Sequence, residues 1–249
     1  MKIHKISNQQ LYILIKTFFL IMEKYRVQKL LSNYGYCSRR RGEQLIQEGR
    51  VKVNGELITI GDEATFNDKI TVDGKPVNKD QRVYLIFHKP VGCVTALTDD
   101  RYKTIADYIT LKERVFPIGR LDYNTSGLLL LTNDGNFANN VMHPRYEVKK
   151  TYLVGVDRIV KKEDVKHLER GVMLEDGKTA PAKVKPIDPN TIEITIHEGK
   201  NRIIRRMLKE LKFRIRFLHR VRIGDLGIGN LGKGKYKPLT EDMKKKIFL

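Results

Sequence analysis

The stretch Gly119-Arg-Leu-Asp122-Tyr-Asn-Thr-Ser-Gly127-Leu-Leu-Leu-Leu131-Thr-Asn-Asp-Gly135 carries the strongest pattern in the chain. It opens as a turn, holds one acidic residue beside Arg120, and passes through a glycine into an unbroken apolar run. Such a run, bounded by turn residues, suits a strand buried on both faces. Asp122 then lies among polar residues at the mouth of a core element, where a rigid scaffold can hold a functional carboxylate. Taken alone, an Asp in a turn is more often an ordinary turn or cap residue.

Outward from this segment, Val83–Phe87 reads as a second short apolar strand, closed by the turn Lys89-Pro90-Val91-Gly92. Further strands are expected at 151–156, 183–187, 191–196 and 214–218. Helices are expected at 137–142, 162–169, 201–211 and 240–246. Strands and helices mix without a regular βαβ rhythm. The expected class is therefore α+β, with a largely antiparallel mixed sheet flanked by helices over residues 82–249.

Residues 22–78 read as a separate small module. Val27, Leu30, Leu31 and Tyr34 recur at helical spacing, and Gly35 closes that helix. Ser38 is placed to cap a second helix ending at Glu48. Val51–Val53 alternates as a strand, Asn54-Gly55 is a hairpin signal, and strands are expected at 58–60 and 69–72. Residues 79–82 read as a polar linker. Residues 1–21 include an apolar run from Leu11 to Ile21, broken by Lys16 and followed by no small-residue cleavage site. Organised patterning begins at Met22, the expected true start. A short amphipathic helix lying on a membrane or on the protein is the alternative.

Charge narrows the function classes. The 249 residues hold 48 Lys and Arg against 29 Asp and Glu, a net +19, with 41% hydrophobic residues. The excess is local. Residues 24–52 hold eight basic against two acidic side chains, and residues 197–249 hold sixteen against five. Two basic blocks inside patterned segments suit a surface that follows a phosphate backbone. Two cysteines exclude a disulfide framework or a Cys-rich zinc site, and the six histidines lack metal spacing. No apolar run approaches the roughly 18 residues that span a bilayer. The formal G-x-G-x-x-G at Gly227–Gly232 opens no helix after a strand and reads as a loop.

The module run Val27-Gln-Lys-Leu-Leu…Gly35-Tyr-Cys-Ser-Arg-Arg…Gly49-Arg-Val-Lys-Val-Asn-Gly55…Gly61-Asp62 resembles the small αL RNA-binding module of a ribosomal small-subunit protein. That implies RNA binding through Arg39, Arg40 and Arg41 at the mouth of the second helix. The Asp122 segment is similar to the signature of RNA pseudouridine synthases of the RsuA/RluB type. Three further blocks agree in order: Lys149-Lys-Thr-Tyr152, Glu198-Gly-Lys-Asn-Arg-Ile-Ile-Arg-Arg-Met207, and Arg222-Ile-Gly224…Leu239-Thr240. Met142-His-Pro144 and Glu175–Ala182 make it most similar to the RluB-like branch. Ile203 departs from the pattern, since many relatives carry Gln there.

The resemblance implies isomerisation of uridine to pseudouridine in ribosomal RNA, on the large subunit, with no metal or cofactor. Small-subunit or transfer RNA is the alternative target, and a non-catalytic assembly factor the alternative class. Asp122 would be the catalytic carboxylate, either a nucleophile at the anomeric carbon or a base acting on the ribose. Arg205 would pair with it, or contact phosphate as Arg202 and Arg206 would. Tyr152 would stack on uracil and assist proton removal. Arg120 would fill the gap left by the flipped nucleotide or grip phosphate, and Lys200 would contact RNA. Lys89 and Pro90 would shape the turn beside the pocket. A cytoplasmic monomer with ribosomal RNA as partner and no membrane association is expected.

Overall fold

A computed structural model describes residues 23–249. The expectations for residues 1–21, and for Met22 as the start, lie outside the described residues. The chain divides into two compact units after Gln81.

In the first unit, β1 (Tyr25–Arg26) leads into α1 (Val27–Asn33) and then α2 (Arg39–Gln47). The Ser38 hydroxyl accepts the Arg41 N–H at 3.2 Å and so caps α2. The strands β2 (Val51–Val53), β3 (Glu56–Leu57), β4 (Glu63–Ala64), β5 (Ile70–Val72) and β6 (Lys75–Pro76) follow. Four of them form an antiparallel sheet in the order β3-β2-β5-β6, and β1 pairs with β4. Asn54 and Gly55 both take positive φ, 52° and 93°, as a two-residue hairpin loop with matching twist requires. Val27, Leu30, Leu31, Leu45, Ile46, Val51, Ile70 and Val72 make the core.

The strand expected at 58–60 does not form. The Thr59 N–H and hydroxyl both donate to the Asp62 carboxylate, and the Asp62 N–H returns to the Thr59 carbonyl. A local side-chain turn has taken the backbone groups a strand would use.

The second unit begins with β7 (Tyr84–Lys89) and β8 (Phe116–Ile118), then β9 (Ser126–Thr132) and α3 (Gly135–Met142). Then come β10 (Lys150–Val156), α4 (Lys162–Arg170), β11 (Met173–Leu174), β12 (Gly177–Lys178), β13 (Lys183–Asp188) and β14 (Thr191–Ile196). Finally α5 (Ile203–Glu210), β15 (Ile215–Ile223), β16 (Leu226–Gly227), β17 (Tyr236–Pro238) and α6 (Glu241–Lys246) complete the chain. The main sheet runs β13-β14-β10-β15-β9-β7-β17, with β16 on β15 and β8 on β9. β15 and β9 are parallel; the other pairs are antiparallel.

β9 lies inside the sheet and is covered on both faces. Leu128 and Leu130 pack with Ile86, Ala138 and Ile223, while Leu129 and Leu131 pack with Leu85, Phe87 and Ile105. This is why the segment is leucine throughout and does not alternate. Each such side chain contributes about 1.5–3 kcal/mol by leaving water. The Asp134 carboxylate caps α3, accepting from the Asn136 and Phe137 N–H groups. It also takes the Tyr84 hydroxyl and pairs with Arg82, which fixes the far end of β9.

Candidate active site

The near end of β9 builds the site. Gly127 has φ 119°, and a Cβ there would stand 2.3 Å from the Arg220 carbonyl. Only glycine lets β9 and β15 approach this closely. The residues just before it, 119–125, form a loop fastened at several points. The Thr95 hydroxyl donates to the Leu121 carbonyl at 2.7 Å, and the Gly92 N–H donates to the Tyr123 carbonyl at 3.0 Å. Beneath lies Lys89, completely buried at the end of β7. Its ammonium donates to the carbonyls of Pro90, Asp122 and Thr125 at 3.0, 3.1 and 3.0 Å. All three donors are used on the backbone that presents Asp122. Burial pulls this amine down to about 8, opposed by the nearby Cys93 and Asp122.

The Asp122 side chain meets α5. Arg205 Nε donates to Oδ2 at 3.2 Å, and Arg202 Nη1 stands 3.7 Å from the same oxygen. Arg205 Nη2 also donates to the Asn124 carbonyl and to the buried Thr125 hydroxyl, so its fork is fixed. Arg205 lies in the first turn of α5, and Arg202 is the residue just before that helix. On the opposite face Ile204, Met207 and Leu208 bury into the core under β10 and β14. The helix is shorter than the expected 201–211, because Arg202 (φ 49°) and Lys212 (φ 61°) take left-handed backbone just beyond its ends.

Asp122, Arg205, Arg202 and Tyr152 line one cavity of about 480 Å³, together with Arg120, Lys200, Lys150 and Arg220. That volume suits a nucleotide-sized occupant. Walls of Leu218, Ile196, Ile203 and Ile223 make it partly apolar. Glu198 also lines it, but one oxygen accepts the Ala180 N–H at 2.7 Å. Asp122 is left as the cavity carboxylate with no backbone N–H donor among the described residues. Among the described residues no three His, Cys, Asp or Glu side chains gather as a metal-binding group.

Arg206 goes elsewhere. It makes a bidentate pair with Asp176 at 2.8 and 3.0 Å and does not line the cavity. An RNA contact by Arg206 would therefore fall outside the cavity, because one helical position past Arg205 points about 100° away. Arg39, Arg40 and Arg41 are exposed on the first unit, with Arg41 bonded to Glu48 at 3.2 Å. Sequence reading did not single out Thr125 or Arg220, and it quoted Lys150 only as part of the block ending at Tyr152, yet all three line the cavity. The two-residue spacing to Tyr152 could have placed Lys150 on the same strand face. No signal marked Arg220 among the other arginines of β15.

Residues 83–210 match the family described as RNA pseudouridylate synthase, and residues 26–70 match the S4 domain. Over 231 residues the chain is 44% identical to the ribosomal large subunit pseudouridine synthase B of Bacillus subtilis (strain 168), covering 89% of this chain and 95% of that protein. Over 220 residues it is 35% identical to the dual-specificity RNA pseudouridine synthase RluF of Escherichia coli (strain K12), covering 87% and 76%. A solved structure described as a crystal structure of pseudouridylate synthase superposes with a TM-score of 0.68 at 30% identity, covering 89% of this chain and 99% of that one. The second unit is thus of an RNA-modifying enzyme class, joined to an RNA-binding domain. The chain belongs to the RNA pseudouridylate synthase family.

Proposed function

We propose that this enzyme converts specific uridines of large-subunit ribosomal RNA to pseudouridine, with Asp122 as its catalytic carboxylate. The observation that carries the assignment is the Asp122 side chain held by Arg205 and Arg202 in a cavity shared with the Tyr152 ring. The reaction breaks the C1′–N1 bond, turns the uracil, and joins C5 to C1′. N1 gains a proton and C5 loses one, so no water or second substrate is consumed. A single carboxylate suffices, unlike the acid–base pair that glycoside hydrolysis requires. Asp122 either attacks C1′ or removes a ribose proton, and both need it ionised. Arg205 Nε and Arg202 Nη1 face its Oδ2 at 3.2 and 3.7 Å. Tyr152 stacks on the base, and Arg120, exposed at the rim, fills the space of the flipped nucleotide or grips phosphate.

The large-subunit target follows the Bacillus subtilis relative. The test is incubation of purified protein with ribosomal RNA from cells lacking the gene, followed by pseudouridine mapping. New pseudouridine confined to large-subunit RNA is expected. New sites only in small-subunit or transfer RNA would move the target. No new site would leave a binding protein. The enzyme acts as a cytoplasmic monomer in this reading. No helix among the described residues is long and apolar enough to cross a membrane.

The S4 domain supplies grip through α2. Arg39 and Arg40 are exposed and make no ion pair among the described residues. Replacing both by Ala should lower the slope of log affinity against log salt by about 2, roughly 1 per lost phosphate contact. Filter binding from 50 to 200 mM salt checks this. An unchanged slope would place the RNA elsewhere.

A further inference from the structure

Four arginines near the cavity are already matched to acids: Arg202 and Arg205 to Asp122, Arg206 to Asp176, and Arg222 to Glu193. Three cations lining the cavity are not: the exposed Arg120, the half-buried Lys150 and the buried Arg220. Lys150 and Arg220 both line the cavity, and neither has a carboxylate within salt-bridge distance among the described residues. Arg220 is only 4% exposed. Its Nε donates to the Leu128 carbonyl at 2.7 Å, but its buried Nη2 has no hydrogen-bond partner among the described residues. Its guanidinium carbon stands 6.0 Å from the centre of the Tyr152 ring. The strand register explains the grouping. Tyr152 on β10 sits opposite Arg220 on β15, and Lys150 is two residues back on the same face of β10. Burial, then the charge of Arg220, lowers the Lys150 amine to about 8.

A buried guanidinium with an unused donor, beside an ammonium with no counter-ion, is a costly arrangement that folding alone does not reward. It suits an anion that arrives later. We propose that Lys150 and Arg220 form the seat of the uracil ring and take up the negative charge that develops on it when the C1′–N1 bond breaks. The inference rests on the reading of this cavity as a uridine pocket.

When that bond breaks, its electron pair stays with N1 and spreads to the two carbonyl oxygens. The base is neutral before this step, regains neutrality when C5 bonds to C1′, and stays neutral as the C5 proton is exchanged for one on N1. A cationic seat therefore binds the separated base more strongly than the starting uridine, which accelerates the step. A backbone phosphate is the poorer occupant. Arg220 is almost wholly covered, whereas a phosphodiester carries chain on both sides. A flat, flipped base can reach it.

The test compares wild type with Lys150→Met in single-turnover conversion of a target RNA fragment. One fragment carries uridine and the other 5-fluorouridine at the modified position, and loss of the starting nucleoside is followed by chromatography of digests, because the fluorinated base has no C5 proton to lose and stops at the C5-linked stage. Fluorine makes the departing uracil a weaker base, which needs less help. Lys150→Met should slow uridine turnover by about 100-fold, the scale seen when one donor to a developing anion is lost. The deficit on 5-fluorouridine should be several-fold smaller, and the dissociation constant for RNA nearly unchanged. Lys150→Arg, which keeps the charge, and Arg220→Lys, which keeps a donor should Arg220→Met not fold, should retain most of the rate. Equal deficits on both fragments, a weakened RNA affinity with unchanged rate, or no effect would overturn the seat. Absence of conversion by wild type would instead overturn the uridine reading beneath it.

Discussion

Asp122→Asn is expected to reduce single-turnover pseudouridine formation by at least about 10⁴-fold, the scale on which loss of an essential catalytic group is felt. The substitution keeps the shape and one acceptor oxygen for Arg205 Nε. What disappears is the charge, and with it both the nucleophile and the base that the two forms of the reaction would use. Arg205 keeps its bonds to the Asn124 carbonyl and the Thr125 hydroxyl, so α5 and the loop should stay joined. The Asp122 side chain is 29% exposed, and a partly solvated pair of this kind contributes about 1 kcal/mol or less. The melting temperature should therefore hardly move. RNA affinity should stay level or rise, because a negative charge leaves a cavity lined with cations. Conversion within tenfold of wild type, with intact binding, would show that Asp122 does not do the chemistry. The parallel measurements of affinity and melting separate lost chemistry from lost structure.

What the sequence displayed and what it hid divide along a physical line. Local patterns were legible. Leu128–Leu131 announced a strand covered on both faces, Ser38 a cap, and Asn54-Gly55 a tight hairpin, because each depends on neighbours a few residues away. The end of β15 was not legible. The strand was expected to stop at 218 and runs to Ile223, through His219, Arg220 and Arg222. β10 holds all three from one side and β9 holds His219 and Arg220 from the other, a long-range pairing that composition does not reveal. β17 was hidden for the same reason. Tyr236–Pro238 becomes a strand by adding to the edge of β7.

The site shows the same division. The Asp122 loop could be picked out, but not which of the clustered arginines would reach it. Arg205 and Arg206 are adjacent in sequence, yet helical rotation sends one to Asp122 and the other to Asp176. Lys150 and Arg220 gain their interest from what they lack. That no carboxylate among the described residues pairs with either is visible only when the surroundings are known.

Lys89→Met should destabilise the fold far more than Asp122→Asn, and it should cost activity through position alone. The ammonium is fully buried and satisfies three backbone carbonyls, two of them at the first and last residues of the Asp122–Thr125 turn. Methionine matches the length and fills the volume but offers no donor. The orphaned carbonyls would stay buried unless the loop swings out to water. Each bond from a charged donor contributes about 1.5–3 kcal/mol, and such losses are not fully additive, so a drop of roughly 3–5 kcal/mol is expected. Urea unfolding reads it as a lower midpoint with an unchanged slope. The pH dependence gives a second check. Lys89 titrates at about 8 when folded and at 10.5 when free of the fold. Between those values the unfolded chain holds more protons, so this group makes stability rise with pH across that window. Below pH 8 that contribution is absent. Lys150 shows the same tendency in both proteins, so the difference between wild type and Lys89→Met isolates Lys89. The stability gap should widen from pH 8 toward 10.5. A gap that stays flat, or a midpoint equal to wild type, would mean that the loop holds itself without the amine. In that case the Thr95 and Gly92 bonds, together with the Arg205 fork, would suffice to present Asp122.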